Sequence, residues 1–379
     1  MNICYLCNEY PPGKNGGIGT FTKELAERAV LEGHRVFVVG VYPDISTDKM
    51  EQVNGVEVVK LSMPFKSEVL SRFKIYRYIK SLDVEFGLDL IEAQEHSGFL
   101  AFWPKTRFKK IIRLHGSIVY FRKEFNEWTM KDYIWRILER NALLNCDQII
   151  SVSKYTAEKT RLYFNLKDNV NIKVIYNGVA LPSEKKTNYQ QQNNNLNVIF
   201  AGSLLSKKGF ISLAYAWNEF ITTHPNAILN IAGKNNDHQL EKFLDIVSNK
   251  RTIKYHGVLS KEELNYLYQN SDIAVFPSFV EAFSLAPMEA MAVGLPVIYS
   301  VLSSGKELIS DISQGYLVNP NYPAEISSAL NDFVNMTPLA RERMGLTGRS
   351  LIESNYDIDN VTEVNLDFYM SLLRKNDDH

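Results

Sequence analysis

The segment from Phe276 to Val297 holds two glutamates, Glu281 and Glu289, with seven residues between them. Ser284 is a good helix N-cap, Pro287 is tolerated in a first turn, and Gly294 followed by Pro296 stops a helix. The pattern predicts a helix starting close to Ser284, with Glu281 ahead of it and Glu289 inside it. The free amides and positive dipole end of such a helix attract an anion, and a diphosphate suits them. Glu289 would lie about 7 Å along the axis from Ser284, at roughly 1.5 Å per residue. Carboxylates on the two sides of a diphosphate could each accept hydrogen bonds from hydroxyl groups. Sugar, diphosphate and ribose follow one another in that order in a nucleotide sugar. A capped surface helix with two incidental acids is the alternative.

Other residues of the right chemical type are scattered along the chain. Gly16 and Gly17 would let backbone approach a ligand closely, although the full GxGxxG dinucleotide fingerprint is absent, which disfavours a nicotinamide dehydrogenase. His115 follows an apolar run and precedes Gly116, at the carboxyl end of an expected strand, where ligand groups gather. A satisfied structural histidine is the other reading of it. His96 ends another such run and is a candidate acceptor contact. Cys4 and Cys7 have CxxC spacing, but inside a strand they point to opposite faces, so they are expected to be buried structural thiols. Asp357-Ile358-Asp359 has the spacing of an acidic metal-binding pair, yet it stands ahead of a final helical stretch and reads as a helix cap. No metal site and no cofactor are expected.

These residues sit on two halves with one plan. Asn2 to Cys7 reads as a strand, Gly13 to Gly19 as a loop, and Phe21, Leu25 and Ala29 mark one face of a helix ended by Gly33 before the strand Val36 to Val39. Leu196 to Ala201, the loop Gly202 to Gly209, a helix through Phe210, Leu213, Ala214, Trp217, Phe220 and Ile221, and the strand Ile228 to Ala232 repeat it. Further strands are expected at Asp89 to Ala93, Lys110 to Leu114, Gln148 to Val152, Ile253 to His256, Ile273 to Phe276 and Val297 to Tyr299. Strands alternating with helices of this length predict an α/β protein with parallel sheets, hence two Rossmann-like domains. The polar run Ser183 to Asn195 is the expected linker between domains 1–182 and 196–356, with the cleft between them the expected site.

With 42 Lys and Arg against 43 Asp and Glu, the whole chain has no electrostatic case for nucleic acid. Three cysteines suit a reducing compartment, and neither a signal-like start nor a long apolar run is present, so the protein is expected to be cytoplasmic. Ser71 to Lys80 and Tyr120 to Arg140 interleave aromatics with Arg and Lys. Such segments either pack as amphipathic helices with solvated charges or lie on an anionic membrane surface, a peripheral association.

The Glu-x(7)-Glu segment resembles the signature of the retaining glycosyltransferase family numbered four, which has the GT-B fold of two Rossmann-like domains with parallel sheets facing across a cleft. The resemblance extends to Gly16-Gly17-x-Gly19, to Asn177-Gly178-Val179, and to the run from His256-Gly257 through Ser271-Asp272 to Gly294-Leu295-Pro296-Val297. It implies that Glu281 contacts the donor sugar, Glu289 the ribose, and the amides of Phe283, Ser284 and Leu285 the phosphates. It likewise places Gly16, Gly17 and Asn177 at the donor, makes His115 a partner of the donor sugar, and sends a last helix, 359–375, back onto the first domain. In Gly202 to Gly209, the family's diphosphate loop, Lys208 matches the usual Lys, but Ser203 stands where an Arg is usual, so a bidentate phosphate donor is lost. The implied reaction is transfer of a sugar, without a metal, from a UDP-sugar, or else a GDP-sugar, to a glycan, lipid-linked or small-molecule acceptor in surface polysaccharide or glycoconjugate assembly. Ser203 motivates the alternative, a catalytically weak nucleotide-sugar-binding or partner subunit.

Overall fold

The computed structural model describes residues 1–12, 16–63, 65, 67–189 and 196–374. Gly13 in the first glycine loop, Gln190 to Asn195 in the expected linker and residue 375 of the expected last helix lie outside the described residues. The chain divides into two compact units, Met1–Gly178 with the segment from Ile358 on, and Val179–Asp357.

The first unit contains β1 (Asn2–Leu6), α1 (Gly17–Leu31), β2 (Arg35–Tyr42), β3 (Lys49–Val53), β4 (Val56–Ser62), α2 (Glu68–Phe86), β5 (Leu90–Gln94), β6 (Lys109–Leu114), α3 (Ile118–Glu124), α4 (Asp132–Asn145), β7 (Gln148–Ser151), α5 (Lys154–Phe164) and β8 (Ile172–Val174). Its sheet runs β3-β4-β2-β1-β5-β6-β7-β8, parallel except where β3 pairs antiparallel with β4. The inner strands are buried on both faces, which is why they read as unbroken apolar runs rather than as alternation. Cys4 and Cys7 are buried, and burial raises both thiols, Cys7 to about 11. The β3–β4 hairpin went unread in the sequence although Asn54 and Gly55, both at positive φ, form the two-residue turn that such a dipeptide favours.

The second unit contains β9 (Asn197–Ala201), α6 (Phe210–Phe220), β10 (Ile228–Ala232), α7 (Gln239–Ile246), β11 (Ile253–Gly257), α8 (Lys261–Gln269), β12 (Ile273–Phe276), α9 (Leu285–Val293), β13 (Val297–Ser300), α10 (Gly305–Leu308), β14 (Tyr316–Val318), α11 (Pro323–Asn335) and α12 (Pro338–Asn355). The sheet order is β11-β10-β9-β12-β13-β14, every pairing parallel. Trp217, Phe220, Phe210, Phe200 and Phe333 fill one apolar core beneath α6 and α11. The described part of the expected linker, 183–189, is instead built into this unit. Lys186 is buried, its ammonium donating to the carbonyls of Ser271 at 2.6 Å and Gln269 at 3.2 Å past the end of α8, and the Tyr189 hydroxyl donates to Gly294 O at 2.9 Å. A cation beside helix-end carbonyls is favourable, and the polar composition of the segment hid that anchoring.

The final helix, α13 (Ile358–Arg374), belongs to the first unit. It is tied there by a buried ion pair: Arg113 donates from Nε and Nη2 to Glu92 at 2.6 and 2.9 Å and from Nη2 to Asn365 Oδ1 at 2.5 Å, while the Tyr369 hydroxyl donates to Glu92 Oε2 at 2.6 Å. Asp359, in its first turn, pairs with Arg28 of α1. Removing one member of such a pair strands a buried charge. Glu92→Gln should therefore lower unfolding stability by about 3 kcal/mol, and adding Arg113→Met should recover part of that loss, measured as urea midpoints. A neutral Glu92→Gln would contradict the burial of this pair.

Candidate functional site

In each unit the residues singled out in the sequence stand at the carboxyl edge of a parallel sheet, beside the strand where the order of connection reverses: β1 in the first, β9 in the second. In the second unit the loop after β9 and the loop after β12 lie backbone against backbone. Gly209 adopts φ +69°, and a Cβ there would stand 1.8 Å from Pro277 O, so only glycine fits. The Phe279 amide donates to Lys207 O at 2.8 Å, which locks the two loops in register. The lock brings the Lys208 ammonium onto Glu281 Oε1 in a half-buried ion pair. From the other side, Ser303 accepts from the Glu281 amide and donates to Phe279 O, both at 3.2 Å.

Helix α9 then begins as its sequence dictates. Ser284 is the N-cap residue, its side chain makes no capping bond, and Gly294 closes the helix at φ +89°. Because Pro287 carries no N–H, the first turn offers the amides of Leu285 and Ala286. Glu289 lies one turn further, half-buried. Two tyrosines that the sequence reading passed over stand behind the acids. Tyr268 of α8 and Tyr299 of β13 are buried, and both phenols are raised, first by burial and then by Glu289 and Glu281 respectively. Lys207 is lowered, first by burial and also by Lys208, with Glu281 opposing. Ser203 is exposed. Leu204 of the same loop pairs with Lys234 O through its amide at 2.9 Å. Lys208 and the α9 N-terminus thus offer a cation and backbone donors that suit a phosphate, while Glu281 and Glu289 are carboxylates that suit hydroxyls.

The first unit organises its residues with carboxylates missed in the sequence. Glu9 follows β1, and its Oε1 accepts from the Gly19 amide at 2.9 Å in the first turn of α1. A Cβ on Gly19 would stand 1.9 Å from Glu9 O, and one on Gly16 would meet the Glu9 carboxylate at 3.2 Å, so the backbone at Gly16 and Gly19 lies close against Glu9. Glu95, buried after β5, accepts from the amides of His115 at 2.9 Å and Gly116 at 2.6 Å. Glu139 of α4, also buried, accepts from Ser97 at 3.1 Å, Ile118 at 3.0 Å and Val119 at 3.2 Å. Burial pushes Glu95 up to about 8 and Glu139 up to about 7, against the pull of those amides. The two acids thereby join the turn carrying His96 to the turn carrying His115. His96 Nδ1 lies 3.0 Å from Ser97 Oγ. The His115 ring meets Phe21 edge to face, with centroids 5.8 Å apart. Asn177 is buried next to Gly178, whose α-carbon side abuts Ile358 and Val361. These carboxylates carry no local motif. Their one sequence signal is an acid placed where apolar residues are due. Among the described residues no group of three His, Cys, Asp or Glu could hold a metal ion.

Two doubly wound units with this constellation define the class: the fold is that of the GT-B glycosyltransferases. Residues 15–181 match the model of Glycosyltransferase Family 4 and residues 183–350 that of Glycosyl transferases group 1. The chain belongs to this family, and it is a glycosyltransferase. It is 26% identical to an uncharacterized glycosyltransferase of Methanocaldococcus jannaschii, over 97% of this chain and 98% of the relative. Among solved structures, sucrose-phosphate synthase from Thermosynechococcus elongatus superposes with a TM-score of 0.84 at 17% identity, covering 99% of this chain and all of that one. Anabaena HepE, solved with UDP and glucose, gives 0.71 at 16%, covering 98% and 100%.

Burial and, second, the Arg113 charge push the His115 imidazole down to about 3. His115 is therefore a neutral hydrogen-bonding group at neutral pH, not an acid. Between about 3 and 6.5 the unfolded chain binds a proton that the folded chain does not, so this residue makes stability fall as pH falls through that window. His115→Gln should flatten the acid side of a plot of urea midpoint against pH. An imidazole NMR signal of His115 titrating near 6.5 would refute the assignment.

Proposed function

We propose that the protein is a retaining glycosyltransferase that takes a sugar from a nucleoside diphosphate, a UDP-sugar in preference to a GDP-sugar. The observation that carries this reading is the Lys208–Glu281 pair held at the N-terminus of α9, with Glu289 one turn inside the helix. When the glycosidic bond to the diphosphate breaks, negative charge collects on phosphate oxygen, and fixed donors aimed at that charge lower the barrier. Lys208 and the amides of Phe283, Ser284 and Leu285 are those donors. On this reading they do the work a bound metal would do, so no cofactor is required. Glu281 accepts from hydroxyls of the departing sugar and Glu289 from the ribose. Gly16, Gly17 and Asn177 shape the donor's surroundings, and neutral His115 hydrogen-bonds a sugar hydroxyl. UDP is favoured because HepE, a neighbour in fold, was solved with UDP and glucose. The acceptor is a glycan, a lipid-linked sugar or a small molecule, with His96 beside it, and the pathway is assembly of a surface polysaccharide or another glycoconjugate. The protein works in the cytoplasm or at the inner face of its membrane.

Ser203 favours a second reading, a weakly active nucleotide-sugar-binding subunit. An exposed serine gives one neutral hydrogen bond where a guanidinium would give two charged ones. Turnover assays across UDP- and GDP-sugars decide the matter. Lys208→Ala should lower kcat by about 10²–10³-fold, as loss of a transition-state donor does, and Glu281→Ala should lower it as well by removing the acceptor for the sugar hydroxyls and the partner that positions Lys208. Undiminished turnover in Glu281→Ala would remove the site from consideration. If Ser203→Arg raised donor affinity or rate by an order of magnitude or more, the weak-subunit reading would gain, whereas efficient wild-type turnover would end it.

A further inference from the structure

Helix α4 buries two acids beside the apolar Ala142 and Leu143. Its buried side includes two carboxylates, Asp132 and Glu139, both engaged: Asp132 Oδ2 accepts from the amide and hydroxyl of Thr129 at 2.7 Å each, and Glu139 accepts the three amides described above. Its outward stripe is apolar. With Met130 just ahead of the helix, Tyr133, Ile134 and Ile137 recur at helical spacing, and Met130, Ile134 and Ile137 are 82%, 63% and 60% exposed.

Helix α2 also carries exposed apolar residues and is linked to α4 through one turn. The Arg72 guanidinium donates to the carbonyls of Ser97 and Gly98, and a Cβ on Gly98 would stand 2.6 Å from the Leu138 backbone, so the start of α2, this turn and α4 form one packed group. Val69, Leu70 and Phe73 of α2 are exposed beside it. Cations surround the apolar residues: Lys131, Arg77 and Lys80 are exposed, and Lys123 lies 4.2 Å over the Trp128 ring, which itself meets Tyr133 edge to face. Segments 68–80, 102–109 and 120–140 hold twelve Lys and Arg against five Asp and Glu, in a chain whose charges otherwise nearly cancel.

We propose that this face of α4 and α2 docks on an anionic lipid bilayer, its apolar residues inserted among the head groups and Lys131, Arg77 and Lys80 set against lipid phosphates. Interleaved apolar and cationic side chains with amphipathic aromatics match the chemistry of that interface. A second copy is a poorer occupant, because a two-fold contact would face these cations with their own like. No helix among the described residues is long and apolar enough to cross a membrane, so the attachment is peripheral. The docking itself does not depend on the transferase reading. What rests on that reading is its consequence, that an acceptor anchored in lipid arrives next to His96, through the turn that Glu139 holds.

The test is flotation of the full chain with vesicles of phosphatidylglycerol and phosphatidylcholine, or of phosphatidylcholine alone, beside turnover assays with soluble acceptors. Binding to the anionic vesicles should exceed binding to the neutral ones by about ten-fold in roughly 0.1 M salt, and should weaken in 1 M salt. Ile134→Asp with Ile137→Asp should abolish it. Arg77→Glu with Lys80→Glu and Lys131→Glu, a variant that leaves the apolar stripe intact, should weaken it several-fold, with soluble-acceptor turnover unchanged in both. Absence of binding to anionic vesicles, or binding indifferent to both variants, would overturn the proposal. So would a concentration-dependent dimer in light scattering that Ile134→Asp with Ile137→Asp dissolves. Failure of all donor turnover with vesicle binding intact would instead strike the transferase reading alone.

Discussion

The residues proposed to meet the ligand stand on loops leaving the carboxyl edge of a parallel sheet or at the start of the helices that follow. That position sets a hard condition. The strands end there, so the following backbone N–H groups lose their ladder partners, and the loops cannot fold away into helix without withdrawing from the ligand side. Buried amides left unpaired would cost about 1–3 kcal/mol each. The first unit meets the condition with carboxylates. Glu9, Glu95 and Glu139 together accept six backbone amides, at Gly19, His115, Gly116, Ser97, Ile118 and Val119. Each acid has two oxygens, so one side chain can hold two turns at once, and this is how the turns of His96 and His115 come to be fixed to a common scaffold.

The second unit meets the same condition differently. Its loops lie so close that the backbone of one satisfies the other, as Phe279 does with Lys207 and Leu204 with Lys234. Such proximity excludes side chains: Gly209 against Pro277 O and Gly233 against Gly202 O leave 1.8 and 1.9 Å for a Cβ. Glu281 pairs with Lys208 across the two loops, and Glu289 stands on α9.

What could be read from the sequence follows from the range of the interactions involved. Ser284, Pro287, Gly294 and Pro296 act within their own helix, and the ends of α9 agree with them to the residue. The central strands were equally plain, since strands buried on both faces need apolar residues at every position. Asn54-Gly55 was a local signal passed over, because the strand Lys49–Val53 that it serves is exposed and polar and does not look like one. Glu95, Glu139, Tyr268 and Tyr299 are of another kind. Their partners are 20 to 42 residues away where the bonds are known, and no spacing rule reaches that far. Lys186 misled for the same reason: a lysine in a polar run looks solvated until the helix-end carbonyls of Gln269 and Ser271 are seen to receive it.

The rotation of α4 is the least local consequence of all. Glu139 must face inward to hold Ser97, Ile118 and Val119, and Asp132 inward to hold Thr129, so two positions seven residues apart fix the helix about its axis. With the acids committed to the interior, residues 130, 133, 134 and 137 are forced outward whatever their type. For a helix bathed only in water, polar side chains there would cost nothing in packing and would lower the exposed apolar area. The chain has Met, Tyr, Ile and Ile instead. The capping of α3 fixes the rotation of α4 but not the type of these outward residues, and the bilayer contact proposed above supplies a reason for the exposed Met130, Ile134 and Ile137.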